Sequence, residues 1–335
     1  MVAMDRRCSR RCCDWRFDAI KNQGGYFGMA KKSQTSQFRI RQLIFVWGII
    51  ALPLLQWIVC WLFVNVSSIK LAFTDPRTSE LTFRNFQLFW ENLTSPYGEI
   101  KIALSNTLKY FSTNLLIINP FACIVAYFLY KKIAGYKAYR VIFYLPAIVS
   151  SVAMVEAYRQ FIGPGGALNG LLNIFGASIP PEGLFARNET ATGAILAYTI
   201  WTGCAVNMLL FMGAMTRVPT EVLEAAKLDG CSAFMELIVI ILPLILPTIS
   251  TVVIVTCTNV FSASGPILLF TKGACQTTTI AYWIFAKVYG DGVSGGSSTA
   301  NYNIVSCTGL CFTLVGAPLI MGIRWLMDKL PTIEY

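Results

Sequence analysis

Pro219-Thr-Glu-Val-Leu-Glu-Ala-Ala-Lys-Leu-Asp-Gly-Cys-Ser-Ala-Phe-Met-Glu-Leu-Ile-Val-Ile-Ile-Leu-Pro243-Leu-Ile-Leu-Pro247 is the stretch whose reading decides the fold. It predicts a short helix, a break at Gly230 and a second helix that runs into a membrane. Pro219 suits the first helical turn, where its missing N–H is no loss. Gly230 suits the left-handed residue that ends a helix, with Asp229 comfortable beside it. Ala225 and Ala226 offer a small-residue surface for close approach, and Pro243 and Pro247 stop or kink the second helix at the membrane edge. Glu221, Glu224, Asp229 and Glu236 concentrate acid in a chain that is otherwise strongly apolar. So structured a loop between two apolar spans reads as a docking device rather than a tether.

Glu224-Ala225-Ala226, Asp229-Gly230, Ile240, Leu242-Pro243 and Pro247 resemble, at their spacing, the EAA loop of ABC-importer permeases, in its sugar-type version. Cys231 stands where a third small Ala is usual, Leu237 where Phe is common and Ile241 where Thr is usual. The resemblance implies an all-α membrane protein of the type I importer kind. It would have six transmembrane helices and a cytoplasmic helix-turn-helix coupling loop over 216–243. Glu224, Ala225, Ala226, Asp229, Gly230 and Cys231 would then be the residues that couple to an ATPase.

Composition supports the membrane reading independently. The chain has 335 residues, 55% of them hydrophobic and only 13% charged, whereas a soluble domain carries about 25% charge. Lys and Arg number 27 against 17 acids, but the excess sits in a few segments, which speaks of orientation in a bilayer and not of nucleic acid. The sequence contains no His, which excludes histidine bases, histidine metal ligands and the usual triads. No G-x4-G-K-[ST] occurs, so the chain lacks the loop that cradles nucleotide phosphates.

Residues 1–42 read as a basic cytoplasmic tail. Cys8, Cys12 and Cys13 alternate there with arginines, as a metal knuckle or a lipid-facing basic patch or, for want of a second ligand pair, as plain disordered tail. Met29-Ala-Lys-Lys looks like a natural start, which would make 1–28 a dispensable extension. Leu43–Val64 is charge-free and long enough to cross ~30 Å of hydrocarbon. Leu71-Ala-Phe-Thr-Asp75 and Leu81-Thr-Phe-Arg-Asn-Phe86 resemble the family's first outer loop. Further spans are expected over 106–130 (with a kink at Asn119-Pro120), 141–162, 193–215, 248–270 and 304–323. The spans thus occupy 43–327, leaving 328–335 as a short tail. Gly163-Pro-Gly-Gly-Ala-Leu-Asn169 turns the chain outside. Lys131, Lys132, Lys137 and Arg140, with no acid between them, mark a cytoplasmic loop. Six spans put both termini on that side, although 65–103 carries four Lys/Arg against two in the docking loop. The eleven cysteines form no disulfide framework, and Cys307 and Cys311 share a helix face as reduced thiols.

Polar residues on the apolar spans are the candidates for a solute pathway: Ser150 and Ser151, Thr199, Thr202, Gly203, Asn207, Thr256 and Asn259. Trp201 and Trp283 supply rings that suit a sugar. Each hydroxyl has interhelical packing as its alternative reading, while the two amides need partners in lipid and so stand out. Glu156 and Arg159, three apart, either line the outer mouth of the pathway or form a structural ion pair.

The resemblance completes the expectation. This chain would be the permease of an ATP-driven importer for an oligosaccharide or similar polyhydroxylated solute, working by alternating access. It would sit in the plasma (inner) membrane of a prokaryote. Its partners would be an ATP-binding cassette ATPase dimer, a second permease subunit, an extracytoplasmic solute-binding protein and the lipid bilayer. ATP and Mg would be held by the ATPase, with no cofactor or metal in this chain. The competing class is a six-span scaffold or membrane-embedded enzyme. No paired carboxylates or His/Cys cluster at catalytic spacing support an enzyme.

Overall fold

A computed structural model describes residues 40–75, 77–261, 265–289 and 299–329. The basic tail before residue 40, with its cysteines, and the last six residues lie outside them. The chain separates into two units, Met1–Ser68 and Ile69–Tyr335. The described part of the first is helical throughout and belongs to a helix, α1, that ends at Ala72 (Ile40–Ala72). Its apolar side chains, such as Phe45 and Leu52, are exposed, as suits a helix whose solvent is lipid.

The second unit is built from helices: α2 (Arg84–Thr94), α3 (Glu99–Tyr130), α4 (Tyr136–Ile148), α5 (Ser151–Ile162), α6 (Ala167–Ile174) and α7 (Asn188–Met215). They are followed by α8 (Thr220–Leu228), α9 (Ala233–Leu244), α10 (Leu246–Phe261), α11 (Gly265–Phe270), α12 (Ile280–Tyr289) and α13 (Thr299–Asp328). Among the described residues, four helices are long and apolar enough to cross a membrane, and six spans result if each of two bent pairs counts as one. The all-α membrane architecture expected from the sequence is therefore present, with two corrections.

The third span is not one helix over 141–162. α4 and the stretch Ser151–Ile174 meet at 117°, because Pro146 interrupts the ladder and Val149 and Ser150 are extended. Nor is the fifth span one helix over 248–270. α9 and α10 meet at 75° around Ile245, where Pro243 and Pro247 each remove a backbone donor, and α11 is a separate short helix. In α3, by contrast, the expected kink at Asn119-Pro120 is absorbed. A π turn over Asn114–Ile118 lets the Asn119 N–H bond the Asn114 carbonyl just before the proline. The same device, Glu236–Ile241, precedes Pro243. The outer loops are shorter than expected, since α7 begins at Asn188 and the segment 271–303 contains the apolar α12.

Among the described residues, three buried clusters hold this unit together. The one that matters for function joins the C-terminal half of α3 (Ile118, Ala122, Ala126) to α7 (Cys204, Met208, Phe211, Met215) and to the docking loop through Leu223, Leu237 and Ile241.

Candidate coupling loop and solute cleft

Pro219 precedes α8 and Glu221 lies in its first turn, where the helix dipole favours an anion, while Lys227 lies in the last turn, where it favours a cation. Leu223 and Ala226, three apart, are buried and fasten the helix to the bundle. α8 ends in a Schellman arrangement: Cys231 N–H donates to the Ala226 carbonyl at 3.0 Å and Gly230 N–H to that of Lys227 at 3.1 Å. Gly230 sits at φ +76°. A Cβ there would meet nothing within 4 Å, so the glycine is required by backbone conformation and not by close approach. Ser232 caps α9 by accepting from Met235 N–H at 3.4 Å.

The elbow leaves a defined surface outward. Glu221, Glu224, Ala225, Lys227, Asp229 and Gly230 are exposed, together with Leu228 at 90%, Phe234 at 70% and Met235 at 58%. Of the two alanines expected to form a small-residue surface, only Ala225 faces out, because Ala226 is spent on internal packing. Cys231 is half-buried.

In the bundle, four of the pathway candidates come together. Gly203, Asn207, Thr256 and Asn259 line one cleft of about 420 Å³ with Tyr110, Phe111, Asn114, Val255 and Val260. Its wall contains a relay across three helices. Asn207 Nδ2 donates to Asn119 Oδ1 at 2.7 Å, Asn119 Nδ2 to Thr256 Oγ1 at 3.1 Å, and the Thr256 hydroxyl to the Val252 carbonyl at 2.8 Å. The Tyr110 hydroxyl is buried without a partner among the described residues. Gly203 also permits close approach, since a Cβ would meet Ile118 at 3.1 Å.

The other candidates do not join this cleft. Thr199 and Thr202 return their hydroxyls to the carbonyls of Ile195 and Tyr198, at 2.9 and 3.0 Å. Ser151 and Glu156 are exposed on α5. Glu156 and Arg159 form no ion pair. Arg159 Nη2 instead donates to the Leu269 carbonyl at 2.8 Å and to that of Phe270, capping α11. Trp201 lines a separate apolar cleft with Met154 and Tyr158. Trp283 is buried and donates to Glu99 Oε2 at 2.8 Å. Asn119, Asn114 and Tyr110 were missed as site residues. Asn119 carried a signal, an amide in mid-span, but the adjacent proline drew the reading toward a kink.

Residues 118–331 match the family described as "Binding-protein-dependent transport system inner membrane component". The chain is similar to the probable ABC transporter permease protein YesP of Bacillus subtilis, 28% identical over 63% of this chain and 66% of YesP. It is also similar to the multiple sugar-binding transport system permease protein MsmF of Streptococcus mutans, 26% identical over 72% of this chain and 83% of MsmF. With the maltose/maltodextrin permease MalF of Salmonella typhimurium it shares 27% identity over 61% of this chain and 40% of MalF. The chain thus spans about two thirds of YesP and less of MalF. Among solved structures, a chain of a bacterial ABC transporter that imports the acidic polysaccharide alginate superposes with a TM-score of 0.72. That match has 20% identity and covers 87% of this chain and 98% of the other.

Proposed function

The chain belongs to the binding-protein-dependent transport system inner membrane components, and from that premise we propose that it forms half of the membrane pathway of an ATP-driven oligosaccharide importer. The observation that carries this is the outward face of the docking loop. Leu228, Phe234 and Met235 are exposed at an elbow whose backbone is fixed by Gly230. Large apolar side chains held in the open beside Glu224 and Asp229 are what a groove on a folded partner would take up. That partner is an ATP-binding cassette dimer, which binds ATP and Mg and hydrolyses the nucleotide. A second permease subunit closes the pathway and an extracytoplasmic solute-binding protein delivers the solute. The docking loop and both termini face the cytoplasm.

Docking-loop movement driven by the ATPase reorients the helices around the cleft of Asn207, Thr256 and Asn259, which opens alternately to either side. The cleft combines amides and a hydroxyl with Tyr110 and Phe111, a lining that suits a polyhydroxylated ring by hydrogen bonds and stacking. The sugar transport named for MsmF and MalF and the alginate import named for the superposing structure support the same solute class.

The test is purification from the native membrane followed by uptake in proteoliposomes. An ATPase subunit is expected to co-purify and to be lost from Glu224→Lys and Gly230→Pro. Uptake of an oligosaccharide should require ATP on the docking-loop side. If both variants retain the ATPase and full uptake, the docking role is wrong.

A further inference from the structure

One charge pair, buried at its carboxylate and partly exposed at its ammonium, belongs neither to the outward face of the docking loop nor to the cleft. Lys131, the residue after α3, places Nζ 2.5 Å from Oε1 of Glu236, which opens the π turn of α9. Glu236 is only 3% exposed. The oxygen is held by charge rather than by an aligned hydrogen bond. Burying such a pair returns little net stability, because desolvation offsets the attraction. Its consequence is positional.

Two more contacts converge on the same place. The Tyr127 hydroxyl donates to the Ala233 carbonyl at 2.8 Å, and Lys131 Nζ stands 5.8 Å from the centre of the Tyr127 ring. Together they tie the end of α3 to the start of α9, a few residues beyond the Gly230 elbow. The same helix α3 supplies Tyr110, Phe111 and Asn114 to the cleft and Asn119 to the relay behind it. It is continuous from Glu99 to Tyr130, and Asn119 lies ~18 Å from Lys131 at 1.5 Å per residue. The apolar contacts of Leu237 and Ile241 with the bundle are non-directional and tolerate sliding. An ion pair whose carboxylate is buried and whose ammonium is only partly exposed resists separation more steeply.

Resting on the importer reading, we propose that the Lys131–Glu236 pair is the strut that passes docking-loop movement to α3 and so to the cleft. Both are positioning residues. Neither touches solute or faces the ATPase. The strut predicts that coupling, and not assembly alone, depends on the pair.

The complete complex, with its ATPase, partner permease and binding protein, is reconstituted in proteoliposomes, and solute moved per ATP hydrolysed is measured for each assembled complex. Lys131→Met and Glu236→Gln should each lower that ratio ~10-fold, and the charge-reversed pair Lys131→Glu with Glu236→Lys should recover most of it. Tyr127→Phe, which strands no charge, should lower the ratio ~2-fold and serves if the charge variants assemble poorly. Single variants with a wild-type ratio, or a reversed pair no better than either single change, overturn the strut. A loss confined to the yield of complex, with the ratio intact, overturns it too, since the pair is then merely structural. A wild-type complex that moves no solute on ATP hydrolysis overturns the importer reading itself, and is told apart because it fails before any substitution is made.

Discussion

The docking loop and the cleft treat polar groups in opposite ways. On the loop, Glu221, Glu224, Lys227 and Asp229 point outward and make no ion pair among the described residues, beside apolar side chains that are equally unengaged. In the cleft wall, Asn207, Asn119 and Thr256 satisfy one another in a closed relay that ends on a backbone carbonyl. The difference follows from what each region meets. A surface with unused binding capacity suits a partner that arrives folded and brings the complementary groups. Amides that are already paired within the wall can face a passing solute without being stranded in a low-dielectric interior.

The contrast breaks most visibly at Gly230. Its φ of +76° is closed to proline, which fixes φ near −65°. Gly230→Pro should therefore destroy the elbow, whose two Schellman hydrogen bonds include the Gly230 N–H that proline lacks, and abolish capture of the ATPase, a loss of ~100-fold or more in affinity. The span bundle should still insert, as shown by unchanged membrane yield. A pull-down with the tagged ATPase checks it, and retention of the subunit would mean that the elbow's shape is immaterial.

Asn119→Leu attacks the other side of the comparison. It removes the shared partner of Asn207 and Thr256, leaving polar groups unpaired at a cost of ~1–3 kcal/mol in a buried setting and ~0.6 on average between membrane helices. Both thermal stability in detergent and uptake should fall, uptake by ~10-fold, with ATPase capture intact. A stable Asn119→Leu protein with normal uptake would show that the relay does not shape the pathway.

Why the two regions were so unequally legible in the sequence follows from the same contrast. The docking loop is specified locally: Gly230, Pro243 and Pro247 act on their own backbone and do in the structure what their chemistry predicts, while Pro219 stands one position before the first turn expected for it, as the extended residue that precedes α8. Six apolar stretches likewise announce six spans, though not that the third and fifth bend by 117° and 75°. The cleft depends on which faces of three helices meet. Asn119 and Asn207 are 88 positions apart and Asn119 and Thr256 are 137 apart, and no periodicity within one helix encodes that meeting. Lys131 and Glu236 were each readable as charges at a membrane edge, but their pairing was not. Arg159 shows the reverse case: helical spacing to Glu156 left an ion pair as one of two readings, whereas the carbonyls of Leu269 and Phe270 at the end of α11 take up the guanidinium.

A milder probe separates docking from folding within the loop. Leu228 is 90% exposed, so Leu228→Ser removes almost no intramolecular contact and should leave stability within ~0.5 kcal/mol. If the side chain enters a partner's groove, ATPase affinity should drop by ~5–10-fold, as for a peripheral apolar anchor. Equal stability with weaker capture would confirm that the loop's apolar residues serve the partner; a fall in stability would place them in the chain's own core.

The smallest effect is expected from Thr199→Val, and it bears most directly on how the cleft is delimited. Thr199 lies on α7 one turn before Gly203, close enough in sequence to be taken for part of the lining. Its hydroxyl, however, bonds the Ile195 carbonyl at 2.9 Å within its own helix, a bond that adds little because that carbonyl is already an acceptor in the helical ladder. Valine has the same branching and nearly the same volume, so packing is preserved. Uptake should stay within ~2-fold of wild type, whereas Asn207→Leu, two turns further along the same helix, should reduce it about as strongly as Asn119→Leu. Concentration-dependent uptake of an oligosaccharide by the two variants checks this. If Thr199→Val raised the solute concentration for half-maximal uptake as much as Asn207→Leu, the pathway would extend along α7 past Gly203, and the cleft would be only its inner end.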